Sequence, residues 1–346
     1  MTLRRQDARR AGPAPAWLRC ALVATLLAGC SPQTPDDAAM PGGVAGASVR
    51  SRSFLERMPD APMNVTFGGT RHVLMNYTEA GVPRVLEYDE NVTSDGHGQF
   101  AIVPGAVSAP AMTNEQAQFF AILQEQRDGF FYRFRDFRIR DWNTFTQNWR
   151  INDPGVEEFV AGRRTTVIEV RRRVAGAGGW YRAWIDPDTA LVMRADEMDA
   201  AGALVSRVAF VSFTLTPDLS AAPLHGDRSP GVAFDRDADN SALLGFQLLD
   251  PTILPAGYRF ERAESLTAGS NTWARLTFGD GVEEMFFLQT MGQIGHADVD
   301  IGPRSVQVFR IGPWTVLQGQ FHDTLAIVVG KSDLPSLLRM LKSAIH

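Results

Sequence analysis

The stretch R-R-T-T-V-I-E-V-R-R-R-V-A-G-A-G-G-W-Y-R-A-W-I-D-P-D, residues 163–188, decides the fold class. β-Branched and aliphatic side chains recur at even-numbered positions on one face: Thr166, Ile168, Val170 and Val174. This alternation is typical of a half-buried β-strand. After a glycine-rich break, Trp180–Ile185 has the composition of a second strand, and Asp186–Thr189 is a strong turn sequence. The stretch therefore predicts an antiparallel β-meander.

Strand-like runs continue on both sides of this meander. The predicted strands are Val73–Tyr77, Arg84–Tyr88, Leu191–Asp196 and Leu204–Leu215. The first two are joined by Glu79-Ala80-Gly81 and predict a hairpin. A capping box, Thr113-x-x-Gln116, predicts a helix that ends near Gln126. Residues 51–216 are therefore expected to form a curved antiparallel half-barrel with covering helices, so the fold class is α+β.

Between Arg133 and Arg140, arginines alternate with apolar residues, which predicts one more strand. The alternation slips by one residue at Asp136, as a β-bulge requires. The apolar members of the run are expected in the core: Phe134, Phe137 and Ile139.

Residues 217–241 are rich in proline, glycine and aspartate and predict a linker between two domains. Residues 242–346 are expected to form a second, smaller α+β domain. Its predicted strands are Trp273–Phe278, Glu283–Thr290, Ser305–Ile311, Trp314–Phe321 and Leu325–Val329. It ends in a helix capped at Ser332 or Asp333, with aliphatic residues at helical spacing.

The N-terminus has the pattern of an export signal. Five arginines precede an apolar run from Cys20 to Ala28 that is too short to span a bilayer. The ending Leu27-Ala28-Gly29-Cys30 resembles a bacterial lipobox, which predicts a signal peptide over residues 1–29, lipidation of Cys30 and a disordered tether over residues 30–50. The alternative is an ordinary secreted signal peptide in which Cys30 is incidental. By resemblance to lipoprotein sorting rules, Ser31 favours the outer membrane. We therefore expect a periplasmic, lipid-anchored protein.

Composition argues against several functions. The signal holds five of the 34 basic residues and one of the 39 acidic residues, which leaves a mature chain with a formal charge of −9. That charge argues against nucleic acid as a partner. The six histidines are scattered singly, and the sequence carries none of the familiar catalytic or dinucleotide-binding motifs. Asp196, Glu197 and Asp199 are interpreted as a solvated turn. No catalytic residue, metal or cofactor is therefore predicted, and the protein is expected not to be an enzyme.

The functional signal lies in residues 130–149, where eight aromatic residues are interleaved with four arginines. One interpretation is an aromatic-lined cavity mouth for acyl chains, whose arginines meet anionic headgroups or a partner's carboxylates. The other is a set of core phenylalanines beside a solvated arginine face. Trp142 and Trp149 flank a mostly polar segment, so we predict that they form a ligand or partner surface together with Arg138 and Arg140.

The meander also resembles a known family, the MucB/RseB sigma-E regulators. The matching residues in the first domain are Ala161–Arg163, Val167–Val170, Trp184–Asp186, Thr189, Met193, Arg194, Asp199, Gly202, Leu204, Arg207, Ala209 and Phe210. In the second domain, Leu254–Tyr258 is similar to the family's L-P-x-G-F, Phe278–Gly281 to its Y-S-D-G turn, and Ala326–Gly330 to its I-T-I-V-G-E ending. The resemblance covers roughly residues 60–346.

This resemblance implies a non-enzymatic regulator. In the family, the large domain is similar to the lipoprotein carriers LolA and LolB. Together with the small domain it holds the periplasmic segment of a membrane-spanning anti-sigma factor and shields it from cleavage. Lipid or lipopolysaccharide fragments in the large domain release that hold. A lipobox is a departure from the family pattern, because typical members are soluble periplasmic proteins.

Two other functions fit the same sequence. A lipid or lipoprotein carrier or acceptor of the LolA/LolB type would use the same half-barrel for acyl chains, but these carriers lack the second domain. An envelope-structural lipoprotein would be expected to have repeats or a long helix, and the sequence shows neither. The regulator is therefore the preferred hypothesis.

Overall fold

The structure, a computed structural model, describes residues 54–79, 82–107, 136–174, 178–226, 231–268, 271–292, 299–300, 305–311 and 314–344. Strands dominate it, and the helices are few and mostly short: α1 Phe54–Arg57, α2 Ala61–Asn64, α3 Trp142–Asn148, α4 Ser241–Leu244 and α5 Leu334–Ser343. No helix in these ranges is long and apolar enough to cross a membrane. The predicted helix over Thr113–Gln126 and the candidate lipidation site Cys30 lie outside the described residues.

Among the described residues, the first sheet contains ten strands and the second sheet, described below, contains eight. The strands of the first sheet are β1 Thr66–Glu79, β2 Val82–Asp95, β3 Gln99–Val107, β4 Trp149–Asn152, β5 Glu157–Val160, β6 Arg163–Arg172, β7 Trp180–Ile185, β8 Val192–Met198, β9 Leu204–Thr214 and β10 His225–Gly226. Their order is β10-β3-β2-β1-β9-β8-β7-β6-β4, with β5 also paired to β6, and every pairing is antiparallel. Among the described strands the two ends of this order do not meet, so the sheet is open.

The hairpin predicted around residue 80 is confirmed, and it is longer than expected. β1 and β2 pair along their whole lengths, with Tyr77 opposite Arg84 and Val73 opposite Tyr88. Alternation explains the burial, because Val73 and Met75 of β1 and Tyr88 of β2 all point into the core. The meander strands are also where the sequence placed them.

The strand and β-bulge predicted over Arg133–Arg140 are wrong for the part that the structure describes. Residues 137–141 have no regular secondary structure, although Phe137 and Ile139 are buried as expected. The backbone N–H of Arg140 donates to the carbonyl of Gly281, 2.8 Å away, and not to a neighbouring strand of the first sheet. The alternating burial arises because this segment is extended and packs against the sheet. We call residues 136–140 the strap.

The second sheet contains eight strands. They are β11 Val232–Ala233, β12 Arg259–Ala268, β13 Asn271–Gly279, β14 Glu284–Met291, β15 Val299–Asp300, β16 Ser305–Ile311, β17 Trp314–Phe321 and β18 Thr324–Gly330. Their order is β11-β12-β13-β14-β18-β17-β16-β15, again antiparallel. The five strands predicted here are confirmed, whereas β12 was not anticipated.

Both faces of the second sheet are covered. Leu276, Phe287 and Leu317 point towards α5, which packs its buried stripe of Leu337 and Leu341 against them. The opposite face, including Trp273, Phe286, Leu288, Trp314 and Ile327, belongs to the same hydrophobic cluster as the core of the first sheet. The predicted N-cap of the last helix is confirmed, because the Asp333 carboxylate accepts from the N–H of Ser336.

The chain passes from one sheet to the other between Gly226 and Val232. His225–Gly226 pairs with β3 at the edge of the first sheet, and Val232–Ala233 pairs with β12 at the edge of the second. We call residues 54–226 the first unit and residues 231–344 the second unit. The predicted domain boundaries at 51–216, 217–241 and 242–346 stay predictions.

Candidate functional site

A cavity of about 140 Å³ lies on the inner side of the first sheet. Its floor is formed by β1, β2, β3, β8 and β9, and its other walls by the α1–α2 region and the strap. Most of its lining is apolar and includes Phe67, Phe100, Ile102, Phe137, Met193 and Phe210. The volume is below the roughly 300–1,000 Å³ of typical small-molecule sites, so the cavity as it stands accommodates part of an apolar chain.

One wall of the cavity carries charge. The Arg71 guanidinium is paired with Glu90 on the neighbouring strand, and its Nη1 lies 2.7 Å from Oδ2 of Asp136 in the strap. Arg71 also lies over the ring of Phe210, with its Cζ 5.8 Å from the ring centroid. Arg138 completes this end and donates to the carbonyl of Pro59, 3.2 Å away. Two arginines and two carboxylates therefore balance in charge at this wall.

A second candidate site lies where the two units meet. Arg172, at the end of β6, is largely buried and reaches two carboxylates of the second unit. Its Nη1 lies 2.6 Å from Oδ2 of Asp280, and its Nη2 lies 3.0 Å from Oε2 of Glu283. The guanidinium also stacks on Trp149, with Cζ 4.3 Å from the ring centroid. We call this set of contacts, with those described next, the junction.

Hydroxyl and ammonium groups complete the junction. Glu283 accepts from the hydroxyl of Tyr181 at 2.7 Å and from that of Tyr258 at 3.1 Å. Lys331 of the second unit donates to the Tyr181 hydroxyl at 3.1 Å and to Glu197 at 2.8 Å. Every charged group named here therefore has an oppositely charged neighbour, as buried ions require.

The backbone of α3 fits against two turns of the second unit. Asn148 donates from its amide nitrogen to the carbonyls of Gly257, at 2.8 Å, and Asp280, at 3.1 Å. Gly281 has φ +95°, and a Cβ at this position would lie 2.4 Å from the backbone nitrogen of Phe145. Glycine is therefore required at position 281 both by its conformation and by the close approach of α3.

The junction perturbs the ionisation of its carboxylates. Burial opposes the charge of Glu283, but Arg172, Lys331 and the two tyrosine hydroxyls outweigh it, so the pKa of Glu283 is lowered. Burial dominates at Asp280 and raises its pKa despite the neighbouring guanidinium. Nearby, burial and the charge of Glu284 raise the pKa of Glu261 to about 7, against the opposing effect of Arg262, Arg140 and Arg259.

The predicted surface formed by Trp142, Trp149, Arg138 and Arg140 is not a single exposed surface. Trp149 is completely buried under Arg172, and Trp142 is half-buried, stacked on Phe145 at 5.3 Å between ring centroids. Arg138 lies at the cavity, whereas Arg140 donates from Nε to the carbonyl of Val282 at the junction, 3.0 Å away. Of the four residues, Arg138 therefore lies at the cavity, and Trp149 and Arg140 lie at the junction.

The sequence suggested that the carboxylates at 196–199 form a solvated turn. The structure contradicts this for Asp196 and Glu197. Asp196 is buried in β8 and accepts from Arg194 and Arg207, which lower its pKa although burial opposes this. Glu197 belongs to the junction, and only Asp199 serves the turn, by accepting from the N–H of Ala201 and Ala203. In the described ranges, no group of three His, Cys, Asp or Glu side chains is placed to hold a metal ion.

Sequence analysis missed the residues on which both sites depend. In the cavity these are Arg71, Glu90 and Asp136, and in the junction Arg172, Tyr181, Tyr258, Glu283 and Lys331. The family motifs gave a partial signal, because Leu254–Tyr258 and Phe278–Gly281 supply the two turns that contact α3. No local pattern identified their partners in the first unit.

A family model described as the MucB/RseB N-terminal domain matches residues 111–227. This part of the chain is therefore similar to a MucB/RseB N-terminal domain. The match covers the strap, the whole junction contribution of the first unit and β4 to β10. It ends at the crossover between the two sheets. A search of curated protein sequences gives no match.

Three solved structures resemble the chain over most of its length. A crystal structure of MucB in complex with MucA(peri) is 16% identical and covers 84% of this chain and 96% of its own, with a TM-score of 0.46. A crystal structure of MucB is 18% identical, covering 84% and 95%, with a TM-score of 0.47. The Pseudomonas aeruginosa MucA/MucB complex is 18% identical, covering 84% and 96%, with a TM-score of 0.45.

Proposed function

We propose that this protein is a non-enzymatic periplasmic regulator that binds the periplasmic segment of a membrane-spanning anti-sigma factor and controls an envelope stress response. The observation that carries the proposal is the match of residues 111–227 to the MucB/RseB N-terminal domain. The second unit supports it, because the family-like motifs at Leu254–Tyr258 and Phe278–Gly281 form the turns that hold the two units together. A carrier built from the first unit alone has no need of them.

The junction suits a protein whose two units act together on one partner. Arg172, Lys331 and the shared hydrophobic cluster fix the two sheets relative to each other. A rigid pair of units offers one composite surface, and the binding partner then loses less conformational freedom to the complex than it would with two loosely tethered units.

We further propose that the cavity of the first unit senses lipid or lipopolysaccharide fragments. Its apolar lining suits an acyl chain. Phe137 of the strap lines the cavity and also contacts the ring of Tyr181 at the junction. Export and lipidation at Cys30 would place the protein in the periplasm on a lipid anchor, with Ser31 favouring the outer membrane. Because the partner spans the inner membrane, the tether must then either remain there or allow the protein to reach across.

The test is a pull-down with the mature chain carrying Cys30→Ser, from detergent-solubilised envelopes, followed by mass spectrometry of protein and lipid. We expect capture of a single-span anti-sigma factor, which is lost when lipid fragments are added. A matched chain carrying Gly281→Ala, which disturbs the junction, should capture less of it. Recovery of lipid or lipoprotein with no anti-sigma factor would contradict the proposal.

That contrary outcome would favour the second candidate, a lipid or lipoprotein carrier or acceptor of the LolA/LolB type. The observation in its favour is the apolar cavity itself, which needs no second unit to bind a chain. A carrier should transfer a radiolabelled acyl chain to acceptor vesicles at the same rate when the junction is disturbed. A regulator should not transfer it.

A further inference from the structure

We propose that the strap, residues 136–140, couples the cavity to the junction, so that an apolar chain entering the cavity loosens the contact between the two units. This inference rests on the proposed sensing function and specifies how the signal passes through the molecule. The strap belongs to both sites, and so does β8, which lines the cavity with Ala195 and contributes Glu197 to the junction.

The cavity end of the strap is held by its side chains. Asp136 pairs with Arg71, and Arg138 donates to Pro59. Phe137 and Ile139 point inwards and line the cavity, where both are buried. An incoming chain therefore meets the strap directly.

The other end of the strap is held by the second unit. Arg140 donates from its backbone to Gly281 and from Nε to Val282. Phe137 also packs against Tyr181, with ring centroids 4.9 Å apart at 36°. Because the Tyr181 hydroxyl bonds Glu283 and accepts from Lys331, movement of Phe137 disturbs the junction from a second side.

The strap is held less regularly than the strands that form the floor of the cavity. Each strand of the floor is hydrogen-bonded to the strand on either side of it in the sheet. The strap is in no ladder with the described strands, and its contacts include the side-chain contacts above and the bonds to residues 281 and 282. A cavity of about 140 Å³ cannot admit a long chain unless a wall shifts.

The charges at the cavity identify the part of a ligand that enters. Arg71 already faces Glu90 and Asp136, so this wall offers balanced charge rather than an excess of positive charge. The group that fits is a single saturated acyl chain, whereas a phosphate or carboxylate headgroup would stay at the mouth. Coupling of this kind is reciprocal, so anything that weakens the junction must strengthen binding of the chain.

The experiment uses the mature chain with Cys30→Ser, which contains no other cysteine, and 11-(dansylamino)undecanoic acid as the fluorescent probe. Spin labels at Ala201→Cys and Lys342→Cys, both exposed and in different units, report the distance between the units. We expect the probe to shift or broaden the label distances. Filling the cavity with Ala195→Leu should weaken probe binding at least five-fold.

Two variants separate coupling from simple binding. Arg140→Met removes the Nε bond to Val282 and should reduce the change in label distances while probe binding persists. Arg172→Met weakens the junction and should strengthen probe binding at least five-fold. Arg150→Met, an exposed arginine on β4, is the matched control and should change neither readout. If Arg172→Met does not fold, Arg140→Met decides the question.

Probe binding with unchanged label distances, and with the same affinity in Arg140→Met and Arg172→Met, would overturn the coupling and leave the cavity as a simple binding site. Failure of the proposed function looks different. In that case the coupling appears with the probe, but the pull-down recovers no anti-sigma factor. Absence of any probe binding to the unmodified mature chain would overturn the coupling as well.

Discussion

The cavity and the junction lie at the two ends of the same strap, and they differ in the polarity of their side chains. The cavity is lined by apolar side chains that have room to move, and its charges are confined to one wall. The junction is filled with buried charge, and each group in it depends on a particular partner. An apolar wall can be displaced by another apolar group at small cost, whereas separating a buried ion pair leaves a charge without solvent.

The difference indicates which region is suited to variation of ligand and which to two-state behaviour. A set of dispersion contacts weakens gradually as a wall shifts. Buried ion pairs are either made or broken, so the junction is suited to two arrangements and the cavity to a range of fillings. The following predictions test that contrast.

The largest effect should come from Arg172→Met. The substitution leaves Asp280 and Glu283 buried together without their guanidinium, so we expect a loss of about 3–5 kcal/mol in the free energy of unfolding. Urea denaturation followed by circular dichroism measures it. The control, Arg150→Met on an exposed strand position, should change stability by less than about 0.5 kcal/mol. Equal effects of the two substitutions would mean that the ion pairs of Arg172 contribute no more to the free energy of unfolding than an exposed arginine does.

The next largest effect concerns Glu261, whose pKa is raised to about 7 by burial and by Glu284. A carboxyl with a raised pKa in the folded state stabilises the protein below its unfolded pKa, and that stability is lost as pH rises through about 7. As the pH rises from 5 to 8, the free energy of unfolding of Glu261→Gln should therefore increase by up to about 3 kcal/mol relative to that of the unmodified chain.

Urea titrations at both pH values measure the gain for Glu261→Gln. Glu157→Gln, at an exposed position of β5, controls for the loss of one negative charge and should have an effect below about 0.5 kcal/mol at either pH. Parallel pH profiles for the unmodified chain and Glu261→Gln would refute the prediction.

A pair of glycines separates backbone strain from packing at the junction. Gly281 and Gly202 both have positive φ, +95° and +86°, but a Cβ at Gly202 meets nothing within 4 Å. Gly202→Ala should therefore cost about 1–2 kcal/mol from strain alone. Gly281→Ala should cost about 1–3 kcal/mol more, because its methyl group would collide with the backbone of α3. Thermal unfolding of both variants gives the difference, and equal costs would show that α3 moves away freely.

The smallest effects test the cavity. Ala183 and Ala195 are directly opposite each other on β7 and β8, and both are buried, but only Ala195 lines the cavity. Ala195→Leu should change the free energy of unfolding by less than about 1 kcal/mol, because the added atoms enter free space. Ala183→Leu should cost about 1–3 kcal/mol through overpacking. Urea denaturation of the two variants compares them directly, and the reverse order would mean that the cavity closes in solution.

Sequence patterns predicted the elements whose cause is local. The β1–β2 hairpin follows from alternation and a turn, and the N-cap at Asp333 follows from a helix that begins where a capping side chain stands. The family resemblance was also read from local motifs, whereas export stays a prediction. These features depend on neighbours within a few residues.

Two of the features that were missed depend on contacts with residues more than a hundred positions away in the chain. Alternating burial in the strap looked like a strand, because the sequence does not show that the partner of Arg140 is Gly281. Trp149 looked like a surface residue beside polar neighbours, yet Arg172 is held over it by carboxylates of the second unit. In both cases a contact with the second unit helps to fix the position of a segment in the first.

The crossover between His225–Gly226 and Val232–Ala233 bears on how far the protein can be divided. The chain pairs with a strand of the first sheet immediately before the crossover and with a strand of the second sheet immediately after it. A protein truncated after residue 227 would lack the second unit. Trp149 and Arg172 would then lose the residues that cover them. The second unit is therefore not an interchangeable module, and an exchange between relatives would have to transplant both halves of the ionic contact together.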